Sequence, residues 1–324
     1  MEEKEVLLKV ENLKKYFCIK KNLKKEKNKY LRAVDDISFT IYKGETLGLV
    51  GESGCGKSTL GRAVLRLYDI TEGLIEFEGK NITWMNDSQL RSLRNRMQII
   101  FQDPYASLNP KMTIRKAIED PLIVYNKKMS ASERKDRAEE VMEYVGIPMH
   151  MADRYPHELS GGQRQRAAIA RGIVLSPSFV VGDEPVSALD VSIRSQVLNL
   201  MKDIQKKTGL SYLFISHDLS VVRYLCDKIA VMYLGKIVEI GTKKEIFDNA
   251  KHPYTQALLS AIPIPDVHVQ REEIVLSGDM PSPIHPPKGC RFCTRCPYAT
   301  EECTMQEPQL QGSKEHQVAC FKVK

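Results

Sequence analysis

The sequence predicts an α/β fold with a doubly wound parallel core, and three features carry that prediction. Thr46–Val50 is a short apolar run that ends in a glycine-rich turn and is followed by helical spacing over Lys57–Leu67. Phe179–Gly182 and Tyr212–Ile215 are equally compact apolar runs, suited to a sheet covered on both faces. Helical stretches separate these runs, and strands alternating with helices argue for a parallel sheet with helices packed on it.

The remaining elements follow in chain order. Ile37, Phe39 and Ile41 alternate with polar residues, and Ile75 and Phe77 alternate with Glu76 and Glu78. Both segments predict half-buried antiparallel strands beside the core. Thr113–Val145 has helical spacing and few strand formers, so a helical insertion is expected over about 103–165. Gln163–Val174 is a further helix, stopped at Ser176-Pro177. From about Pro263 on, prolines at 263, 265, 281, 283, 286 and 287 break regular structure and predict an extended tail. These boundaries divide the chain into one large domain, 1–262, and a proline- and cysteine-rich extension, 263–324.

Composition narrows the class. A chain of 324 residues can bury one large core and a small appendage. Its 42% hydrophobic and 27% charged content are ordinary for a soluble globular protein. Met1-Glu2-Glu3-Lys4-Glu5 does not read as a secretory signal, and no apolar run is long enough to cross a bilayer. Any membrane association is therefore expected through a partner. Six lysines between Lys20 and Lys29 supply much of the net charge of +7. No aromatics interleave with them, which argues for a solvated loop and against a nucleic-acid surface.

Gly51-Glu52-Ser53-Gly54-Cys55-Gly56-Lys57-Ser58 is a complete P-loop pattern between a strand and a helix. Glycines let successive N–H groups converge on phosphate oxygens, and the amino end of the helix adds a favourable field. Gly51, Ser53, Gly54, Cys55, Gly56, Lys57, Ser58 and Thr59 are the expected ATP contacts, with Lys57 on the β and γ phosphates and Ser58 on Mg²⁺. Asp183 and Glu184 end an apolar strand. Asp183 suits an Mg²⁺ contact, and Glu184 is placed to polarise an attacking water. Ser160-Gly161-Gly162-Gln163 opens a helix and offers a second anion site.

In that order along the chain, these motifs resemble those of ABC-type ATPases. The resemblance implies that Ser160–Gln163 of one subunit closes over the γ-phosphate held by another. It also identifies Gln102 in Phe101-Gln102-Asp103-Pro104 as the Q-loop glutamine, reaching both nucleotide and Mg²⁺. Ser187-Ala188-Leu189-Asp190 resembles the D-loop, His217 the switch histidine on the γ-phosphate, and Tyr16 the aromatic that stacks on adenine. Gly182 departs from the family, which often has alanine before Asp-Glu.

Phe101–Pro110, Glu184–Ser192 and His252-Pro253-Tyr254-Thr255 resemble the ATPase subunits of oligopeptide and dipeptide importers; nickel importers share much of the pattern. The insert Cys18–Arg32 is similar to the second of two unlike ATPase subunits. Implied partners are a related ATPase subunit, two transmembrane permeases, and an extracytoplasmic substrate-binding protein acting through them, with no nucleic acid. Implied placement is peripheral, on the cytoplasmic face of the membrane. A soluble ABC protein acting on nucleic acid, or a metal-binding module with a vestigial ATPase, are the readings from other classes.

Eight cysteines would be many for disulfides in a chain lacking an export signal. Cys18, Cys55 and Cys226 are scattered. Cys290, Cys293, Cys296, Cys303 and Cys320 crowd the end of the chain and look like ligands. Four thiolates can close a [4Fe–4S] cluster or a zinc site, and spacing alone does not separate the two. The resemblance favours a cluster on Cys290, Cys296, Cys303 and Cys320, with Cys293 as an alternative ligand.

Overall fold

The computed structural model describes residues 5–20, 29–262 and 274–323. Its strands are β1 (Val6–Lys20), β2 (Lys29–Tyr42), β3 (Thr46–Val50), β4 (Glu72–Phe77), β5 (Lys80–Asn81), β6 (Met97–Ile100), β7 (Phe179–Asp183), β8 (Ser211–Ser216), β9 (Lys228–Tyr233), β10 (Lys236–Thr242), β11 (Gln311–Gly312) and β12 (His316–Val318). The chain forms two compact units. A helix-rich unit holds Glu5, Tyr42–Glu45 and Trp84–Phe214, and a loop-bearing unit holds Val6–Ile41, Thr46–Thr83 and the residues from Ile215 on.

In the helix-rich unit the strand order is β8-β7-β6, and β6 runs parallel to β7 with Met97 opposite Phe179. Every residue of β7 is buried, which explains its unbroken apolar character. The expected helical stretch Thr113–Val145 is two helices, Ile114–Tyr125 and Ala131–Tyr144. Ser130 restarts the second: its hydroxyl accepts from the Glu133 N–H at 3.2 Å while the Glu133 carboxylate accepts from the Ser130 N–H at 2.6 Å. This reciprocal cap satisfies two otherwise orphaned donors, so the helix begins there. Gly161–Ile173 starts two residues before the expected Gln163, because Ser160 is its cap.

In the loop-bearing unit, β2-β1-β4-β5 form a sheet, antiparallel from β1 to β4 and from β4 to β5, that contains both predicted half-buried strands. A second set is ordered β11-β12-β10-β9-β3, with β3 parallel to β9 and Leu49 opposite Ala230. The helix after β3 spans Lys57–Val64, shorter than predicted; Arg66 adopts φ 52, a left-handed conformation that ends it before Leu67. Most of the lysine run, and the expected boundary at 262/263, lie outside the described residues.

The prolines lead one to expect an extended tail, yet the chain returns to the sheet. Beta strand β12 pairs antiparallel with β10, placing Val318 opposite Glu239 and His316 opposite Gly241. Glu239 is fully buried there and binds the His316 Nε2 at 2.7 Å and the Lys251 N–H at 2.7 Å, so its charge does not go unpartnered. Phe292 is buried in an aromatic cluster, with ring centroids 5.2 Å from Tyr233 and 5.4 Å from Tyr254. Among the described residues no helix is long and apolar enough to cross a membrane.

Phe292→Ala should leave a cavity in that cluster and cost about 3–5 kcal/mol. Calorimetric unfolding will show it as a drop of several degrees in Tm; a Tm equal to that of the parent would contradict the packing described.

Candidate nucleotide site and cysteine cavity

The phosphate loop is formed within the loop-bearing unit. Gly51, Gly54 and Gly56 take φ values of 153, 81 and 111. Space demands glycine as firmly as the dihedrals do. A Cβ on Gly51 would lie 2.1 Å from the Met232 carbonyl oxygen, and one on Gly56 would lie 2.0 Å from that of Ala33. The loop therefore follows a path that only glycine backbone can take. Lys57 is buried, and its Nζ donates to the carbonyl oxygens of Gly51 at 2.8 Å and Glu52 at 2.9 Å. Its ammonium is thus held by the loop whose phosphate it is expected to meet. Cys55 is buried beneath the loop, and burial raises its thiol pKa.

Tyr16 lies in the same unit, half-buried, with its hydroxyl donating to Asp35 Oδ1. Burial and that bond push its phenol well up, so it stays neutral. The Arg32 guanidinium stands 5.7 Å from the ring centroid. Ser58 and Thr59 open the helix after the loop, and His217 follows β8 as an exposed residue.

The helix-rich unit carries the rest. Asp183 is buried at the end of β7. Glu184 follows it with φ 49, an uncommon conformation for a residue with a side chain. Gln102 donates from Nε2 to Glu184 Oε2 at 3.0 Å, so these two expected site residues are brought together. The Ser187 hydroxyl donates to the Glu184 carbonyl at 3.0 Å, tying Ser187-Ala188-Leu189-Asp190 to the same turn. Asp190 caps the helix Val191–Thr208 by accepting from the Ile193 N–H at 3.0 Å. At Gly182, an added Cβ would meet Pro185 Cγ at 3.3 Å, a tight fit for the alanine often found there in the family.

Ser160 and Gln163 form a reciprocal cap: Ser160 Oγ accepts from the Gln163 N–H at 3.3 Å, and Gln163 Oε1 accepts from the Ser160 N–H at 2.9 Å. Gly161 and Gly162 sit between them in the first turn. Gly162 has no room for a side chain, because a Cβ would approach Ile193 Cγ2 at 2.5 Å.

All eight cysteines are free thiols. Cys290, Cys293, Cys296, Cys303 and Cys320 line one cavity of about 400 Å³, together with His252 and Tyr298. The Cys290 N–H donates to the Cys303 carbonyl at 2.8 Å, and a Cβ on Gly289 would lie 2.3 Å from that oxygen, so the two stretches meet backbone to backbone. Burial pushes the Cys290 thiol up to about 12. The expectation of zinc or a cluster on these cysteines is not matched by a formed ion site: among the described residues, no three His, Cys, Asp or Glu side chains group around one ion position. Thiols that each stand at the wall of a shared cavity do not converge on a point.

Two contacts here have no counterpart in the sequence reading. Arg295 Nη1 bonds both carboxylate oxygens of Glu52, at 3.0 and 2.9 Å, and Arg291 Nη2 bonds Asp35 Oδ2 at 2.5 Å. The one available signal is a pair of arginines four apart in Cys290-Arg291-Phe292-Cys293-Thr294-Arg295-Cys296, flanking an aromatic.

Comparison with known proteins accords with these features. Residues 34–187 match the family model described as ABC transporter, and residues 238–303 match that of the oligopeptide/dipeptide transporter, C-terminal region. The chain is 52% identical to the oligopeptide transport ATP-binding protein AppF of Bacillus subtilis, over 98% of this chain and 97% of that one. It is 51% identical to the dipeptide transport ATP-binding protein DppF of Haemophilus influenzae, over 100% and 98%. Among solved structures, a dimeric post-hydrolysis state of the ATP-binding cassette MJ0796 with ADP and Pi aligns at TM-score 0.65 and 28% identity, covering 73% of this chain and 99% of that one. The protein defined by this fold and loop is an ABC ATPase. The chain belongs to the ABC transporter family, among the ATP-binding subunits of its oligopeptide/dipeptide branch.

Replacing Gly56 with alanine sets a Cβ against backbone, which cannot swing aside, at a left-handed φ. Gly56→Ala should weaken ATP binding by about a hundredfold or more in equilibrium titration, since the loop amides can no longer converge. Near-parental affinity would mean that the loop is not held as described.

Proposed function

We propose that this chain is the ATP-hydrolysing motor of a di- and oligopeptide importer, acting as a nucleotide-sandwich dimer docked on two permease subunits. The observation that carries the proposal is the coincidence of a formed phosphate loop, with Lys57 at its floor, and a likeness to peptide-transport ATPases that runs through residues 238–303. The other sandwich half is a related ATPase subunit, and an extracytoplasmic binding protein delivers cargo to the permeases. The chain then works at the cytoplasmic face, as a peripheral subunit. We take residues 1–262 as its ATPase domain and 263–324 as its extension. The likeness to peptide-transport subunits favours peptide over nickel, and no observation favours a nucleic-acid role.

Each residue has a task in this reading. Amides of Gly51 to Lys57 cradle the phosphates, Ser58 and Thr59 continue that contact, and Lys57 neutralises the β and γ groups. Tyr16 stacks on adenine. The Ser58 hydroxyl, the Gln102 amide oxygen and the Asp183 carboxylate are oxygen donors, a set that fits Mg²⁺. Bound with ATP, Mg²⁺ neutralises charge on the phosphate oxygens. Glu184 takes a proton from the water that attacks the γ-phosphorus, as the bond to the β,γ-bridging oxygen breaks. Its carboxylate is oriented by Gln102 and its backbone by Ser187. His217 contacts the γ-phosphate. Ser160–Gln163 present the amino end of a helix to the nucleotide of the partner subunit, with Ser187–Asp190 at the same dimer face.

The cysteine cavity is best read as a [4Fe–4S] site on Cys290, Cys296, Cys303 and Cys320, with Cys293 able to replace one ligand. Zinc needs four sulfurs about 2.3 Å from one point. Five cysteines line one cavity, a thiol set that would serve either metal, and the family resemblance favours the cluster. When bound, such a cluster would cross-link residues 290–296, the helix Glu301–Met305 and the chain after β12.

Glu184→Gln should lower ATP turnover about a hundredfold or more while ATP stays bound and the dimer persists through gel filtration. Parental turnover would remove Glu184 from its role. With its permeases in vesicles, the wild-type chain should drive ATP-dependent uptake of labelled peptide; uptake of nickel ions in place of peptide would overturn the cargo assignment. Anaerobically purified protein should be brown and carry about four iron and four sulfide per chain. Stoichiometric zinc would sink the cluster.

A further inference from the structure

Within the loop-bearing unit, residues 290–296 make two contacts that flank the proposed nucleotide. Arg295 is 9% exposed and chelates the Glu52 carboxylate. Glu52 is the second residue of the phosphate loop. Its carbonyl is one of the two that hold Lys57, and its N–H donates to the Tyr254 hydroxyl at 2.8 Å. Arg291 is 5% exposed and binds Asp35 Oδ2, while Asp35 Oδ1 accepts from the Tyr16 hydroxyl. Between the two arginines, Phe292 is locked into the Tyr233–Tyr254 cluster, so neither guanidinium can drift with the surface.

A carboxylate in a loop that binds triphosphate is a repulsive charge. Glu52 is compatible with that task only if a cation cancels it. No lysine or arginine of the loop does so, since Lys57 faces the carbonyls. Arg295 supplies the cation, with Nη1 shared between the two carboxylate oxygens in a charge-assisted contact. We propose that Arg295 and Arg291 are positioning residues of the nucleotide site: Arg295 neutralises and holds Glu52 in the phosphate loop, and Arg291 holds Asp35 and, through it, Tyr16. The chain's cysteine-bearing segment is then part of the ATP site. This inference rests on the reading of Gly51–Ser58 and Tyr16 as that site.

The two arms predict different losses. Removing Arg295 strands a negative charge beside the phosphates, so ATP should suffer and adenosine should not. Removing Arg291 frees the adenine side, so both should suffer. The test uses the full-length protein, purified anaerobically, with equilibrium binding of ATP and adenosine measured by competition against a fluorescent nucleotide. Arg295→Met should weaken ATP about tenfold while adenosine stays within about twofold, and the double variant Glu52→Gln/Arg295→Met should recover most of that loss. Arg291→Met should weaken ATP and adenosine by the same factor.

Parental ATP affinity in Arg295→Met, a double variant as weak as the single, or equal loss of ATP and adenosine in Arg295→Met overturns the Arg295 assignment. Unchanged adenosine binding in Arg291→Met overturns the other. Should Arg295→Met not fold, Glu52→Gln alone decides: it removes the carboxylate that cancels Arg295 and leaves an uncompensated cation beside the phosphates, so ATP should bind about two- to fivefold more tightly with adenosine unchanged. Equal or looser ATP binding in that variant overturns the proposal. Lys57→Ala separates the two levels. If it leaves ATP affinity intact, the reading of the loop as the ATP site falls, independently of what the arginines do.

Discussion

The contact of the Lys57 ammonium with the carbonyls of Gly51 and Glu52 is the interaction on which the loop-bearing unit turns. A buried cation without partners would be costly, and the two carbonyls satisfy it from within the loop. Both carbonyls point inward only because glycines at 51 and 56 let the backbone pass the Met232 and Ala33 carbonyls at distances that exclude a Cβ. Local conformation, tertiary packing and charge placement are therefore one constraint at this loop. Altering any of them moves the other two.

That constraint spreads through hydrogen bonds. The Gly235 N–H donates to the Cys55 carbonyl at 2.9 Å, and the Asp35 N–H donates to the Gly235 carbonyl at 2.8 Å. The same Asp35 accepts from Tyr16 and Arg291. A short chain of bonded groups thus connects the floor of the phosphate loop to the tyrosine expected at adenine. The helix-rich unit has a comparable arrangement of its own. Glu184 takes a left-handed φ, and the Ser187 hydroxyl and Gln102 amide bond its backbone and its side chain. Strain of this kind persists only where surrounding contacts over-determine it.

Much of this architecture is legible from residues alone, because it is written in local patterns. Thr46–Val50 runs into Gly51 and Lys57, and the strand, the turn and the start of the helix stand where the pattern places them, the helix ending at Val64. The helix start at Ser160 is readable from Ser, two glycines and Gln at capping spacing, although its first turn begins before Gln163. Strand β9, Lys228–Tyr233, is an apolar run of the same kind as β7 and was as readable, but it lies outside any motif. What the sequence hides is long-range pairing. His316-Gln317-Val318 is too short to announce a strand, and it pairs with β10 and bonds Glu239, some 77 residues earlier in the chain.

The arginines show the same limit at the site. Arg291 and Asp35 are separated by 256 residues, and Arg295 and Glu52 by 243. No periodicity links residues so far apart, and an arginine among cysteines reads as ordinary surface charge. Burial changes its meaning. Taking a guanidinium out of water is unfavourable unless a carboxylate receives it, so two such residues four apart imply two carboxylate acceptors within reach. One acceptor belongs to the phosphate loop and the other to the neighbour of Tyr16. A segment that only capped the fold could have met its packing needs with apolar side chains around Phe292. The two ion pairs aimed at nucleotide-binding residues make sense if the segment also sets how those residues stand.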